Sequence, residues 1–246
     1  MDSNFPKVLP VGRDLTAQQK IALSARMISD AHMALDVAGH ITEMRDDGTM
    51  LSTPYGKWWF ELQASDMLLL DADGRVLEGN LDVTPAIHIH TEIHRRRPDA
   101  KVIIHNHPHY STLLSSLHMI PEIIEQQAVI FDDEVVLFDE FTGGINDVES
   151  GRHLADTVGE RGNVVLLANH GLLTFAESIE EATYRFFSFE RSCKFNYEAM
   201  ASGRKPITVP EAPRREMKRI MKKYNHFYFW NGAARQVLAN GDAVLD

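Results

Sequence analysis

Two aliphatic runs, Val102-Ile103-Ile104 and Val164-Val165-Leu166-Leu167-Ala168, most restrict what this chain can fold into, because each is apolar at every position rather than at alternate ones. A strand reads that way when both of its faces are covered, so the runs predict central strands of a sheet with helices on each side. Both runs end in histidine. His105-Asn106-His107 follows the first, and Asn169-His170-Gly171 follows the second. Side chains at i and i+2 of an extended chain share a face, which lets His105 and His107 reach one ion. Neutral imidazole is the commonest protein ligand of zinc, copper, iron and nickel, and three protein ligands with one open position is the usual arrangement of a catalytic metal. His105, His107 and His170 are therefore predicted to bind a metal, the competing reading being strand-end caps and a hydrogen-bonded core histidine.

A chain of 246 residues, 44% hydrophobic, is long enough for one large domain with a full core. The expectation is a single domain over 1–246, with 203–246 as a carboxy-terminal extension serving as lid or subunit contact. The formal net charge of −10 argues against nucleic acid as a partner, since phosphate binding needs a basic surface. Arg95-Arg96-Arg97 reads as a solvated helix end before Pro98, where cations suit the helix dipole. The single cysteine, Cys193, has no intrachain partner and reads as core packing. No apolar stretch approaches a membrane span, and Met1–Gly12 lacks the basic start and apolar core of a secretory signal. The expectation is a cytoplasmic protein without a membrane partner.

Thr16 to Gln19 looks like a capping box, and Ile21, Ala25, Ile28, Ala31 and Leu35 recur at helical spacing up to Gly39. Hairpins are predicted at 40–44 with 50–51 and at 67–70 with 76–77, around Asp46-Asp47-Gly48 and Asp73-Gly74. Helices are predicted at 85–96, 110–118, 149–159 and 178–201, with short strands near 135–138 and 164–168. After Pro206, Pro210 and Pro213 a basic helix is expected at 214–223, followed by an aromatic tail, Phe227 to Trp230. Strands and helices are intermixed throughout, which indicates an α/β sandwich with a mixed sheet.

The stretch RRRPDAKVIIHNHPHYSTLLSSL, the later LLANHGLLTF, and AGHITE followed by STPYGK resemble the class II aldolase/adducin family over about residues 16–200. The resemblance implies a three-layer α/β/α sandwich with a mixed, largely antiparallel central sheet. It also implies a homotetramer with active sites at subunit boundaries, and a divalent metal held by His105, His107 and His170. Zinc is usual in the sugar-phosphate aldolases; three histidines also accept manganese, iron or cobalt.

Departures from the aldolases shape the functional expectation. Aligned on the RPD and HNH motifs, the aldolase acid/base glutamate falls on Ala86, and a methyl group carries no proton. The aldolase phosphate loops G-N-x-S, T-P-T-G and S-S become Gly39-His40-Ile41-Thr42, Thr53-Pro54-Tyr55-Gly56 and Thr84-Pro85. His40, Tyr55 and Pro85 are bulkier than the residues they replace or lack their donors, which argues against a phosphorylated sugar. A metal-dependent lyase is expected, most simply a decarboxylase of a hydroxy-aromatic or β-keto acid, with His40, Tyr55 and Thr84 binding a small carboxylic acid or hydroxy-carbonyl compound. His88, His90, Glu92, His94, His109 and Tyr110 lie near the metal strand in sequence as proton-donor candidates; His90 and Tyr110 are favoured. His90 matches an aldolase histidine, and it shares a helix face with His94 at i, i+4 while His88 points elsewhere. The alternatives are an aldolase of hydroxy-ketones with an acid/base relocated to Tyr110 or Glu92, a metal-dependent oxygenase, and a non-enzymatic adducin-like binding domain. The last is disfavoured because adducin scaffolds carry long tails and this sequence ends shortly after the domain.

Overall fold

The first apolar run becomes β5 (Val102–Asn106), all five residues buried, near the middle of an eight-stranded sheet. The computed structural model describes residues 7–141 and 143–246; Met1–Pro6, half of the stretch read for a signal, lie outside them. The other strands are β1 (His40–Met44), β2 (Met50–Ser52), β3 (Leu68–Leu70), β4 (Val76–Glu78), β6 (Val135–Phe138), β7 (Val164–Leu167) and β8 (Gly171–Ala176). Their order is β4-β3-β2-β1-β5-β8-β7-β6, antiparallel throughout except for β6 and β7. Among the described residues six α-helices accompany the sheet: α1 (Ala17–Asp30), α2 (His88–Arg96), α3 (His109–Ser116), α4 (Val148–Val158), α5 (Ile179–Ala201) and α6 (Glu211–Leu238).

Alternation along the central strands explains why their sequences are apolar at every position. Val102, Ile104, Val164, Leu166 and Leu172 join a core with Ile21 of α1, Phe186 and Phe189 of α5 and Trp230 of α6. Their neighbours Ile103, Val165, Leu167, Leu173 and Phe175 join a second core on the other face, with Ile89 and Ile93 of α2 and Leu154 of α4. The fold is thus an α/β sandwich with helices on both faces. Among the described residues no helix is long and apolar enough to cross a membrane.

Several sequence expectations need correction. The first helix ends at Asp30 rather than running on to Gly39: His32 takes a left-handed φ of 57°, and Leu35 is left 68% exposed. β8 was not anticipated. Asn169-His170-Gly171 closes a tight hairpin, with Asn169 at φ 56° supplying the left-handed residue such a turn requires. Arg97 is not a solvated helix end, for it is 5% exposed. Its guanidinium donates to both Asp99 carboxylate oxygens, to the Gly159 and Gly162 carbonyls and to Asn163, tying the end of α2 to the loop before β7. The basic helix and the aromatic tail are one element, α6. Pro213 falls in its first turn, where a missing N–H costs nothing, and Trp230, Ala234 and Val237 are buried in this chain's own core.

Candidate metal centre

β5, β8 and the turn before β8 bring three imidazoles to one end of the sheet. The nitrogens that His105, His107 and His170 offer all lie within 4.8 Å of one another. His105 Nδ1 lies 3.0 Å from the Leu172 carbonyl. A carbonyl only accepts, so Nδ1 carries the proton and Nε2 is left as a bare lone pair, the form a metal ligand needs. His107 Nε2 sits 3.2 Å from it. Two nitrogens on a tetrahedral zinc ion, with bonds of about 2.0 Å, stand about 3.3 Å apart. The donor set therefore fits a divalent ion.

Burial keeps the three rings neutral. It pushes His105 well below the ordinary histidine range, helped by His40, His170 and His107; it lowers His107 against the opposing charge of Asp36; and it brings His170 to about 4. Two glycines make the close packing feasible. A β-carbon on Gly171 would lie 2.6 Å from His107 Cδ2 and 2.7 Å from the Asn106 carbonyl oxygen. One on Gly39 would meet Asn106 Nδ2 at 2.0 Å, and Asn106 Oδ1 in turn accepts the His107 backbone N–H at 2.7 Å.

Beside the triad, β1 contributes a buried polar row. His40 pairs with His105 across the strands, and their ring centres are 4.8 Å apart. His40 Nδ1 lies 2.5 Å from His90 Nε2; His90 Nδ1 lies 2.6 Å from Thr42 Oγ1; Thr42 Oγ1 lies 2.8 Å from His94 Nε2; and His94 Nδ1 lies 2.6 Å from the Ala100 carbonyl. Desolvation holds His40 and His90 well below the normal histidine range, and it brings His94 to about 4 although the Ala100 carbonyl acts the other way. Sequence reasoning gave His94 only a place among six donors and assigned nothing to Thr42 or the Ala100 carbonyl. A usable signal existed: His40 and Thr42 at i, i+2 on a strand and His90 and His94 at i, i+4 on a helix form two polar pairs that match when that helix covers that strand.

The remaining candidates take no part in the triad or in this row of hydrogen bonds. Thr84 is buried in the turn before α2, its hydroxyl accepting the Ala86 N–H. Ala86 packs against the second core. Tyr55 is 40% exposed on the loop after β2, its backbone N–H bound to the Asp82 carbonyl. Tyr110, at the start of α3, packs on His109, Tyr197 and the Lys194 ammonium, and helps line a cavity of about 530 Å³ between α3 and α5. His88 and Glu92 line a concavity with Arg152 of α4, and the Glu92 carboxylate is engaged by Arg95 and Arg152.

A neutral three-imidazole centre on an α/β sandwich defines a class of protein, and comparison places the chain within it. Residues 19–197 match the model of the Class II Aldolase and Adducin N-terminal domain. The chain belongs to this family. It is 32% identical over 187 residues to Decarboxylase NovR of Streptomyces niveus, covering 74% of this chain and 67% of that protein. It is 31% identical over 159 residues to the 4-hydroxy-3-prenylphenylpyruvate oxygenase/4-hydroxy-3-prenylbenzoate synthase of Streptomyces roseochromogenus subsp. oscitans, covering 63% and 56%. The chain thus spans between 56% and 67% of the length of these two relatives. In fold it is similar to the L-fuculose 1-phosphate aldolase from Glaciozyma antarctica PI12, with a TM-score of 0.82, 22% identity, and coverage of 99% of this chain and 97% of that one.

Proposed function

We propose that the protein is a divalent-metal-dependent lyase that breaks a carbon–carbon bond, and within that class a decarboxylase of a non-phosphorylated hydroxy-aromatic or β-keto carboxylic acid. The observation that carries this reading is a complete three-imidazole centre flanked by neutral His40 and His90, while position 86, where the resembling aldolases have their acid/base, holds a half-buried methyl group packed against the second core. An ion held by His105, His107 and His170 supplies Lewis-acid stabilisation of negative charge on a substrate oxygen, with zinc the first choice and manganese, iron or cobalt accepted by the same ligands.

Aldol cleavage requires a positioned group to deprotonate a hydroxyl and reprotonate an enediolate, and Ala86 does neither. Decarboxylation asks less of the chain. The electrons of the broken bond stay on the substrate carbon, carbon dioxide leaves without a proton, and one proton is taken up. The His40–His90 pair handles that proton in this reading, with Tyr110 as the second candidate. His40, Tyr55 and Thr84 form the substrate side and suit a flat acid better than a phosphate. The name of Decarboxylase NovR supports this chemistry. A homotetramer in the cytoplasm completes the proposal.

The test is carbon dioxide release from a panel of hydroxylated aromatic and β-keto acids by metal-loaded protein. Chelation should abolish release and zinc or manganese restore it, and His107→Ala should lose both the ion and the activity. Rapid cleavage of a hydroxy-ketone with every acid inert would overturn the reading. A metal-dependent oxygenase is the second reading, favoured by the name of the prenylphenylpyruvate relative. It predicts oxygen consumption with iron, and no turnover under nitrogen.

A further inference from the structure

The row of hydrogen bonds beside the triad has only one consistent direction. It begins at the Ala100 carbonyl, which can only accept, so His94 Nδ1 carries a proton. A neutral imidazole has one N–H, which leaves His94 Nε2 to accept, and its partner, the Thr42 hydroxyl, must donate to it. A hydroxyl has one proton to give. Toward His90 the Thr42 oxygen is therefore an acceptor, His90 Nδ1 carries the proton, and His90 Nε2 is bare. His40 Nδ1 must then donate to His90 Nε2. The last nitrogen, His40 Nε2, has no hydrogen-bond partner among the described residues.

We infer that Ala100, His94, Thr42 and His90 act together to lock His40 as its Nδ1–H tautomer, so that a hydrogen-bond acceptor, not a donor, stands beside the metal triad and selects substrates that bring a hydroxyl proton there. Thr42, His90 and His94 are positioning residues in this scheme, since they act through His40. All four side chains are buried, so water does not scramble the direction. None of the three rings has a carboxylate among its hydrogen-bond partners, so a second proton on any of them would be a buried charge without a counter-ion, and the one-donor count holds. Each link depends on its neighbour, and reversing one bond would set two donors or two lone pairs against each other at the next.

The inference deepens the lyase reading by specifying the substrate: an acid with a hydroxyl next to the group that meets the metal. It also constrains the proton handling, because His40 Nε2 has no proton of its own and hands on only one that it has received from the substrate.

Nitrogen-15 NMR of the histidine side chains in the zinc-loaded protein reads the tautomers directly. His40, His90 and His94 should each show a protonated Nδ1 and a bare Nε2. In Thr42→Val, nearly the same shape without the hydroxyl, His94 should keep its tautomer because the Ala100 carbonyl still holds it. His90 loses its acceptor and should switch to Nε2–H, and His40 should switch with it. Thr42→Ser should restore both. An Nε2–H His40 in the unaltered protein, or an unchanged His40 in Thr42→Val, would overturn the inference. The measurement needs no turnover, so it stands if the lyase reading fails; carbon dioxide release by a protein with Nε2–H His40 would remove this inference and leave that reading intact.

Discussion

Gly171→Ala is the most direct test of how the metal centre is built, because it adds one methyl group where β8 leaves the turn. The new carbon would start 2.6 Å from His107 Cδ2 and 2.7 Å from the Asn106 carbonyl oxygen. The first distance is about 1 Å short of the roughly 3.5 Å at which carbon atoms rest in contact. The Asn106 oxygen belongs to β5 and is held by the sheet, so His107 is the group that yields. Metal–ligand distances tolerate only about 0.2 Å, so a ring displaced by several times that no longer completes the site. Losing a ligand's orientation costs about 10–100-fold in metal affinity. Overpacking also destabilises the fold by about 1–3 kcal/mol, and each kcal/mol lowers the melting temperature of a chain this size by about 2–4 °C. A zinc titration against a competing chelator measures the first effect, and thermal unfolding in EDTA, which removes the contribution of bound metal, measures the second. Zinc affinity equal to that of the unaltered protein would refute the claim that Gly171 makes room for the His107 ring.

Three further outcomes are expected. Burial alone would raise the pKa of Glu134, but bonds from Asn163, Lys218 and Lys222 and the charge of Arg185 outweigh it and bring the carboxyl to about 2. A folded-state pKa below the ordinary 4.5 means the stabilisation is complete above that value and is lost as pH falls from 4.5 toward 2; unfolding midpoints between pH 7 and 3 should show this, with Glu134→Gln flattening the acid limb and losing at most about 3 kcal/mol at pH 7. Gly232→Ala, in the interior of α6 with nothing within 4 Å of the added carbon, should stabilise by up to about 1 kcal/mol in denaturant unfolding without changing zinc affinity. Fuculose 1-phosphate and ribulose 5-phosphate should not be turned over, given His40, Tyr55 and Pro85 in place of the aldolase phosphate-loop residues, and brisk cleavage or epimerisation of either would refute that argument.

Much of the secondary structure was legible because it is written in local periodicity. The capping box at Thr16 and Gln19, the hairpins at 40–52 and 68–78, and the helix at 179–201 each follow from spacing within one segment. Where local signals conflicted, boundaries were misplaced. The apolar spacing through Leu35 suggested a longer first helix, and the prolines followed by an aromatic tail suggested a short helix at 214–223 where a single α6 runs from Glu211 to Leu238.

By itself the sequence determined that two apolar strands would be covered on both faces and that each would end in histidine, since unbroken apolar runs and H-x-H spacing are properties of single segments. Only the tertiary structure decided what stands around those histidines. The β1–β5 register sets His40 against His105, and the placement of α2 over β1 brings His90 and His94 to Thr42, about fifty residues away in the chain. The burial of Arg97 depends in the same way on carbonyls of Gly159 and Gly162. Hydrogen bonds between distant segments leave no periodic trace in either one, because the partner that satisfies a buried polar group is chosen by packing, and a lone histidine or arginine reads the same whether that partner is water, a carbonyl or another side chain.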